Sequence, residues 1–113
     1  MVDRLYEYHA QMCRIFTSPK RLEILSALRD GEKSVGELSK LASIPQANLS
    51  QHLSILREKG IVKTRREGVT IYYSLTNPKI IKAFDIIREI LLEKLEREEK
   101  SAHELLKKQK GKK

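Results

Sequence analysis

Residues 34–75, SVGELSKLASIPQANLSQHLSILREKGIVKTRREGVTIYYSL, constrain this chain more than any other stretch. Ser34-Val35-Gly36-Glu37 has the form of a capping box, in which the serine side chain and the glutamate three residues on each satisfy a backbone N–H that a helix start leaves free. The pattern predicts a short helix from there to Leu41 or Ala42. After an Ala42-Ser43-Ile44 turn, Pro45 opens a further helix at the position where a missing N–H does no harm, and Gly60 closes it just past Lys59. Two β-leaning runs, Ile61 to Arg66 and Val69 to Leu75, then flank Glu67-Gly68, which reads as a hairpin turn.

The flanking sequence supplies three more helices to this pair. Leu5, Tyr8, Met12, Ile15 and Phe16 recur at helical spacing and predict a first helix (α1) over about Asp3 to Phe16. Ser18 can cap a second (α2), with Pro19 at its first position, Leu22, Ile24, Leu25 and Leu28 on its apolar side and Gly31 ending it after Asp30. The helices from Val35 (α3) and from Pro45 (α4) follow. Asn77-Pro78 launches a long last helix (α5) through Ile80, Phe84, Ile87, Leu91 and Leu95, with periodicity reaching Leu105 and Leu106 before KKQKGKK. The expected fold is mainly α with a small β-hairpin, in the order α1-α2-α3-α4-β-β-α5. Two helices joined by so short a turn and followed by a hairpin are a winged helix-turn-helix. The expected organisation is one domain over residues 1–100 and a basic, frayed or disordered tail over 101–113.

On a wheel centred at Leu49, Leu53 and Leu56 fall within roughly 40° and form the buried stripe of α4. Ala47, Ser50, Gln51 and Ser54 lie on the other side. That outer face is small, polar and uncharged, which suits a helix pressed into the major groove of double-stranded DNA, where glutamine matches adenine bidentately. Recognition helices touch base edges mainly through their N-terminal residues. The base-reading candidates are therefore Gln46, Ala47, Asn48, Ser50, Gln51 and Ser54. His52 falls beside the apolar sector, so packing and DNA contact both stay open for it. In the hairpin, Lys63, Arg65, Arg66 and Thr70 are the candidates for holding the DNA backbone.

Bulk charge says less than this local pattern. The net charge is +8, but residues 100–113 hold six lysines against Glu104 alone, which leaves only +3 for residues 1–99. A basic tail is weak evidence for a nucleic-acid site. Two Phe, four Tyr and no Trp make an aromatic base-stacking platform unexpected. One cysteine, Cys13, leaves no intramolecular disulfide framework and suits a reducing cytoplasm. No stretch approaches a membrane span, and the opening MVDRLYEYH holds no apolar export signal.

No enzymatic arrangement stands out, since His9, His52 and His103 lie on different elements and there is no glycine-rich phosphate loop. No cofactor is expected. His9 and Cys13 share a helical face, so two such pairs across a dimer form a weak metal candidate beside the blander reading of an interface cysteine near a surface histidine. Ile80, Ile81, Phe84, Ile87, Ile90, Leu91, Leu92 and Leu95 give α5 more apolar surface than a small winged core can cover, which points to a second copy of the chain. The expected activity is that of a dimeric, sequence-specific DNA-binding transcriptional regulator, a repressor that occludes a promoter. A winged-helix assembly module, or a protein that coats DNA without sequence preference, remains as an alternative.

The run LSQHLSILREKGIVKTRREGVTIYYSL, together with Ser18-Pro19-Lys20-Arg21-Leu22-Glu23-Ile24-Leu25, resembles the ArsR/SmtB group of small winged-helix repressors over roughly residues 10 to 95. The resemblance implies a homodimer through α1 and α5, with Leu5, Tyr8, Met12, Ile80, Phe84, Ile87, Leu91 and Leu95 at the interface. It implies an inverted-repeat operator, with recognition contacts carried over to Gln46, Ser50 and Gln51 and wing contacts to Arg65 and Arg66. The chain departs from the group's metal-sensing pattern. Val35 to Leu41 contains no cysteine, Asp85 is followed by Ile87 where a histidine is needed, and His103 by Leu106 where an acid is needed.

Overall fold

The computed structural model describes residues 2–111, with side chains described over 4–108. The element order is α1 (Val2–Ile15), α2 (Pro19–Ala27), β1 (Lys33–Ser34), α3 (Val35–Ala42), α4 (Gln46–Glu58), β2 (Val62–Glu67), β3 (Thr70–Leu75) and α5 (Lys79–Gly111). The chain divides into two compact units, residues 1–78 and residues 79–113.

Local chemistry explains most boundaries in the first unit. The Ser18 side chain accepts from the Arg21 N–H at 3.4 Å, with Pro19 opening α2 behind it. That helix ends at Ala27, earlier than Asp30, because the Leu28 N–H is shared between the carbonyls of Ile24 and Leu25; the turn tightens there before Gly31 takes φ +136°. The capping box forms in both directions, Glu37 N–H to Ser34 Oγ at 3.2 Å and Ser34 N–H to Glu37 Oε1 at 3.1 Å. The Ser34 N–H first, and then the Ser34 hydroxyl, hold the Glu37 carboxyl below its ordinary value of 4.5. Ser34→Ala is expected to cost about 1 kcal/mol in thermal or urea unfolding near neutral pH. The carboxylate's share is complete above pH 4.5 and is lost as the pH falls below it, so Glu37→Gln should flatten the acid limb of the stability profile.

The turn between α3 and α4 is held by backbone as well as side chain. Ser43 adopts the left-handed conformation at φ 53°, Ile44 N–H reaches Ser39 O at 3.2 Å, and Ser39 Oγ donates to Ile44 O at 2.6 Å. Pro45 sits as the residue before α4 and not as its first helical residue. At the far end Gly60 takes φ +73°, with Gly60 N–H to Arg57 O at 3.0 Å and Ile61 N–H to Leu56 O at 2.9 Å. This is a Schellman closure whose hydrophobic partners, Leu56 and Ile61, are both buried.

The sheet has three strands in the order β1-β3-β2, all antiparallel. The hairpin was legible in the sequence, whereas β1 was not. Lys33 and Ser34 are a strand only because they pair with Tyr73 and Tyr72. Glu67 pairs with Thr70, so the two turn residues are Gly68 and Val69, one residue later than Glu67-Gly68. Gly68 has φ +62° and Val69 does not enter the positive region, the pattern of a type II′ hairpin, which favours glycine at its first central position.

The core of this unit is Ile15, Ile24, Leu25, Leu28, Leu38, Ala42, Ile44, Leu49, Leu53, Leu56, Ile61 and Val62. Every described side chain of α1 before Ile15 is exposed in the single chain, including Leu5, Tyr6, Tyr8, Met12 and Cys13. The second unit is α5, a 33-residue helix. Its apolar residues Ile86, Ile87, Ile90, Leu91, Leu92, Leu95, Leu105 and Leu106 are exposed, while Ile80, Ile81 and Phe84 are half-buried. Helical geometry continues past residue 100, through the stretch the sequence reads as a tail, to Gly111; Ala102, Glu104, Leu105, Leu106 and Lys107 all favour helix.

Candidate nucleic-acid interface

The helix-turn-helix presents one surface of α4 and buries the other. Leu49, Leu53 and Leu56 are at most 1% exposed and fix the rotation of the helix, so the opposite row must face outward. Gln46, Ala47, Asn48, Ser50, Gln51 and Ser54 are all exposed, and no charged residue occurs between Gln46 and Ile55. Ser50 Oγ donates to Gln46 O at 3.1 Å, which spends its proton within the helix and leaves its lone pairs to accept from a base amino group. The Gln51 amide keeps both functions, a donor and an acceptor, available for a bidentate contact. Ser50, Gln51, Ser54 and Ile55 line an open surface depression.

His52 is half-buried, and its Nδ1 is buried without a hydrogen-bond partner among the described residues. This position sits at the edge of the core-facing stripe, apart from the exposed row.

The wing sorts its basic residues by strand alternation. Lys63 and Arg65 project from one face of β2, with Thr64 and Arg66 on the other. Lys63 and Arg66 are exposed and have no carboxylate partner among the described residues; Arg66 Nε donates to Gly68 O at 3.3 Å. Thr70 is half-buried beside the turn.

Arg65 is placed quite differently. Its Nε and Nη2 donate to the two carboxylate oxygens of Glu32 at 3.1 and 2.6 Å, its Nη1 donates to Glu67 at 3.0 Å, and its guanidinium lies 4.7 Å from the centre of the Tyr72 ring. The Glu32 carboxyl is held below its ordinary range, first by its hydrogen bonds to Arg65. The arginine is raised in turn by Glu32 and then Glu67.

Two residues here escaped the sequence reading. Glu32 lies 33 positions from Arg65, and no local spacing announces such a pair. Val69 is 95% exposed at the wing tip, and its signal was legible: a β-branched apolar residue beside the hairpin glycine. By contrast, His9 and Cys13 are both exposed on α1, and no group of three or more potential metal ligands gathers among the described residues.

Comparisons with known proteins agree with this geometry. The family profile described as bacterial regulatory protein, arsR family, matches residues 18–64. The transcriptional activator HlyU of Vibrio cholerae is 37% identical over 79 residues, covering 70% of this chain and 73% of its own length. The crystal structure of the transcriptional repressor BigR from Xylella fastidiosa superposes with a TM-score of 0.72 at 37% identity, covering 79% of this chain and 91% of that one. A homodimeric winged helix-turn-helix DNA-binding domain from Mycobacterium bovis, Mb0332, gives a TM-score of 0.74 at 26% identity, covering 84% and 88% respectively. With the polar row of α4 exposed and the β2–β3 hairpin carried by a three-stranded sheet, this chain belongs to the ArsR family of winged helix-turn-helix, DNA-binding transcriptional regulators.

Proposed function

We propose that the protein is a homodimeric repressor that reads an inverted-repeat operator through α4, with no enzymatic activity and a cytoplasmic location. The observation that carries this reading is the uncharged polar row on α4, rotated outward by Leu49, Leu53 and Leu56. Gln46, Asn48, Ser50 and Gln51 read base edges, with Ala47 and Ser54 packing against them, and Lys63 and Arg66 hold phosphates. The exposed apolar tip of Val69 suits contact with sugar or groove floor. Occlusion of a promoter by such a dimer is repression without any further chemistry, and BigR, a repressor, shares the fold. Among the described residues no helix is long and apolar enough to cross a membrane. Selection of binding sites from random duplex DNA tests this reading: a two-fold-related motif is expected, and recovery of no enriched motif would overturn it.

The dimer rests on the exposed apolar residues of α5 and α1, with Ile87, Leu91 and Leu95 on the former and Leu5, Tyr8 and Met12 on the latter. Monomers seldom leave so large an apolar stripe on one helix in water, as α5 does by itself. A two-fold pair of recognition helices spans half-sites about 34–36 Å apart, one turn of DNA. Leu91→Glu would set a charge in each copy of the shared face. It is expected to move the sedimenting species from twice the chain mass to 13.1 kDa and to abolish tight operator binding. A variant that stays dimeric would remove Leu91 from the interface.

A further inference from the structure

The Arg65 cluster has a geometry that a merely solvated wing would not need. In the β1-β3-β2 sheet, Arg65 stands on an outer strand, crosses the central strand over its cross-strand partner Tyr72, and reaches Glu32, which immediately precedes the opposite outer strand. Three of its donors meet carboxylate oxygens from two acids, and the ring of Tyr72 covers a face of the guanidinium. Exposed single ion pairs are weak, but a bidentate arginine–carboxylate pair within a network is the arrangement that holds. The neighbouring Ser34 caps α3, so the same short segment that anchors Arg65 also begins the helix-turn-helix.

Resting on the DNA-binding reading above, we propose that Glu32 and Glu67 are positioning residues that keep Arg65 off the DNA backbone, so that Lys63 and Arg66 alone supply the wing's phosphate contacts. A phosphate approaching Arg65 must displace two carboxylates already in bonding geometry and must approach a cluster whose net charge is −1. The consequence is a lower sequence-independent affinity, because every arginine–phosphate contact strengthens binding to all DNA alike.

The test is the salt dependence of binding to a selected operator and to a scrambled duplex, for the full chain and three variants: Glu32→Gln/Glu67→Gln, Arg65→Met, and the triple combination. Freeing one arginine per protomer should steepen the log–log slope of the double variant by about 0.9 per contact, or about 1.8 for a dimer, which is roughly a 12-fold greater loss of affinity between 50 and 200 mM salt. Both duplexes should respond alike. Arg65→Met alone should leave the slope unchanged, and adding it to the double variant should restore the original slope. Circular dichroism on each variant separates these effects from unfolding. A shallower slope in Arg65→Met would overturn the proposal, since Arg65 would then already touch phosphate. So would a steep slope that survives in the triple variant, because relief of acidic repulsion would then explain it. Loss of operator preference in the unaltered chain would instead remove the DNA reading itself, whereas intact preference with unchanged slopes removes only the clamp.

Discussion

Replacing Gln51 by alanine is expected to weaken operator binding by about 1–3 kcal/mol per half-site, hence by a factor of about 30 to 10⁴ for a dimer that reads both. The size of the effect follows from position and chemistry. Gln51 lies in the exposed row of α4, two residues before the buried Leu53 that sets the helix's rotation, and its amide can donate and accept toward one adenine edge. The change removes no core contact, so stability should hold. Affinity for scrambled duplex should also hold, because phosphate contacts from Lys63 and Arg66 do not depend on the missing amide. Titration of labelled operator and scrambled duplex at a fixed 150 mM salt reads both quantities. An equal loss on the two would show that Gln51 supports the helix instead of reading a base.

Leu53→Ala should act on the opposite side of the same helix and through a different physical cause. Leu53 is 1% exposed and stands between Leu49 and Leu56, both fully buried. Truncating it deletes buried methyl groups and leaves a cavity, a loss of about 2–5 kcal/mol. Against a total stability of about 5–15 kcal/mol for a natural domain, that is a large fraction. Urea unfolding should show the midpoint fall with little change in slope. DNA affinity measured well below the new melting temperature should drop far less than in Gln51→Ala. Together the two variants separate what holds α4 from what α4 reads.

Most of the fold was legible because its boundaries are local. Ser18-Pro19, the Ser34/Glu37 box, Gly60 and the hairpin glycine each act within a few residues, and each marks an element boundary in the structure. The wheel that separated Leu49, Leu53 and Leu56 from the polar row needed nothing beyond helical periodicity. What the sequence concealed is non-local. Strand β1 is only two residues long and exists through its pairing with Tyr72 and Tyr73, so no run of β-formers could announce it. The hairpin turn slipped by one residue because register is set by the whole ladder from Val62 opposite Leu75 to Glu67 opposite Thr70.

The wing shows the same division between near and far. Composition alone ranks Arg65 with Arg66 as a basic residue beside a turn, and strand alternation puts the two on opposite faces. Only the fold brings Glu32 across the sheet to occupy Arg65, while Arg66 keeps no acidic partner among the described residues. Charge counted along the chain therefore does not reveal that Arg65 is already paired with Glu32 and Glu67.

Selecting sites from random duplex DNA with the full chain at 150 mM salt shows whether the polar face of α4 reads a sequence. A two-fold-related motif whose half-sites lie about one helical turn apart is expected, with the loss of defined bases within each half when Gln46, Ser50 and Gln51 are replaced by alanine. Recovery of no enriched motif, or of the same motif from the triple alanine variant, would contradict that reading.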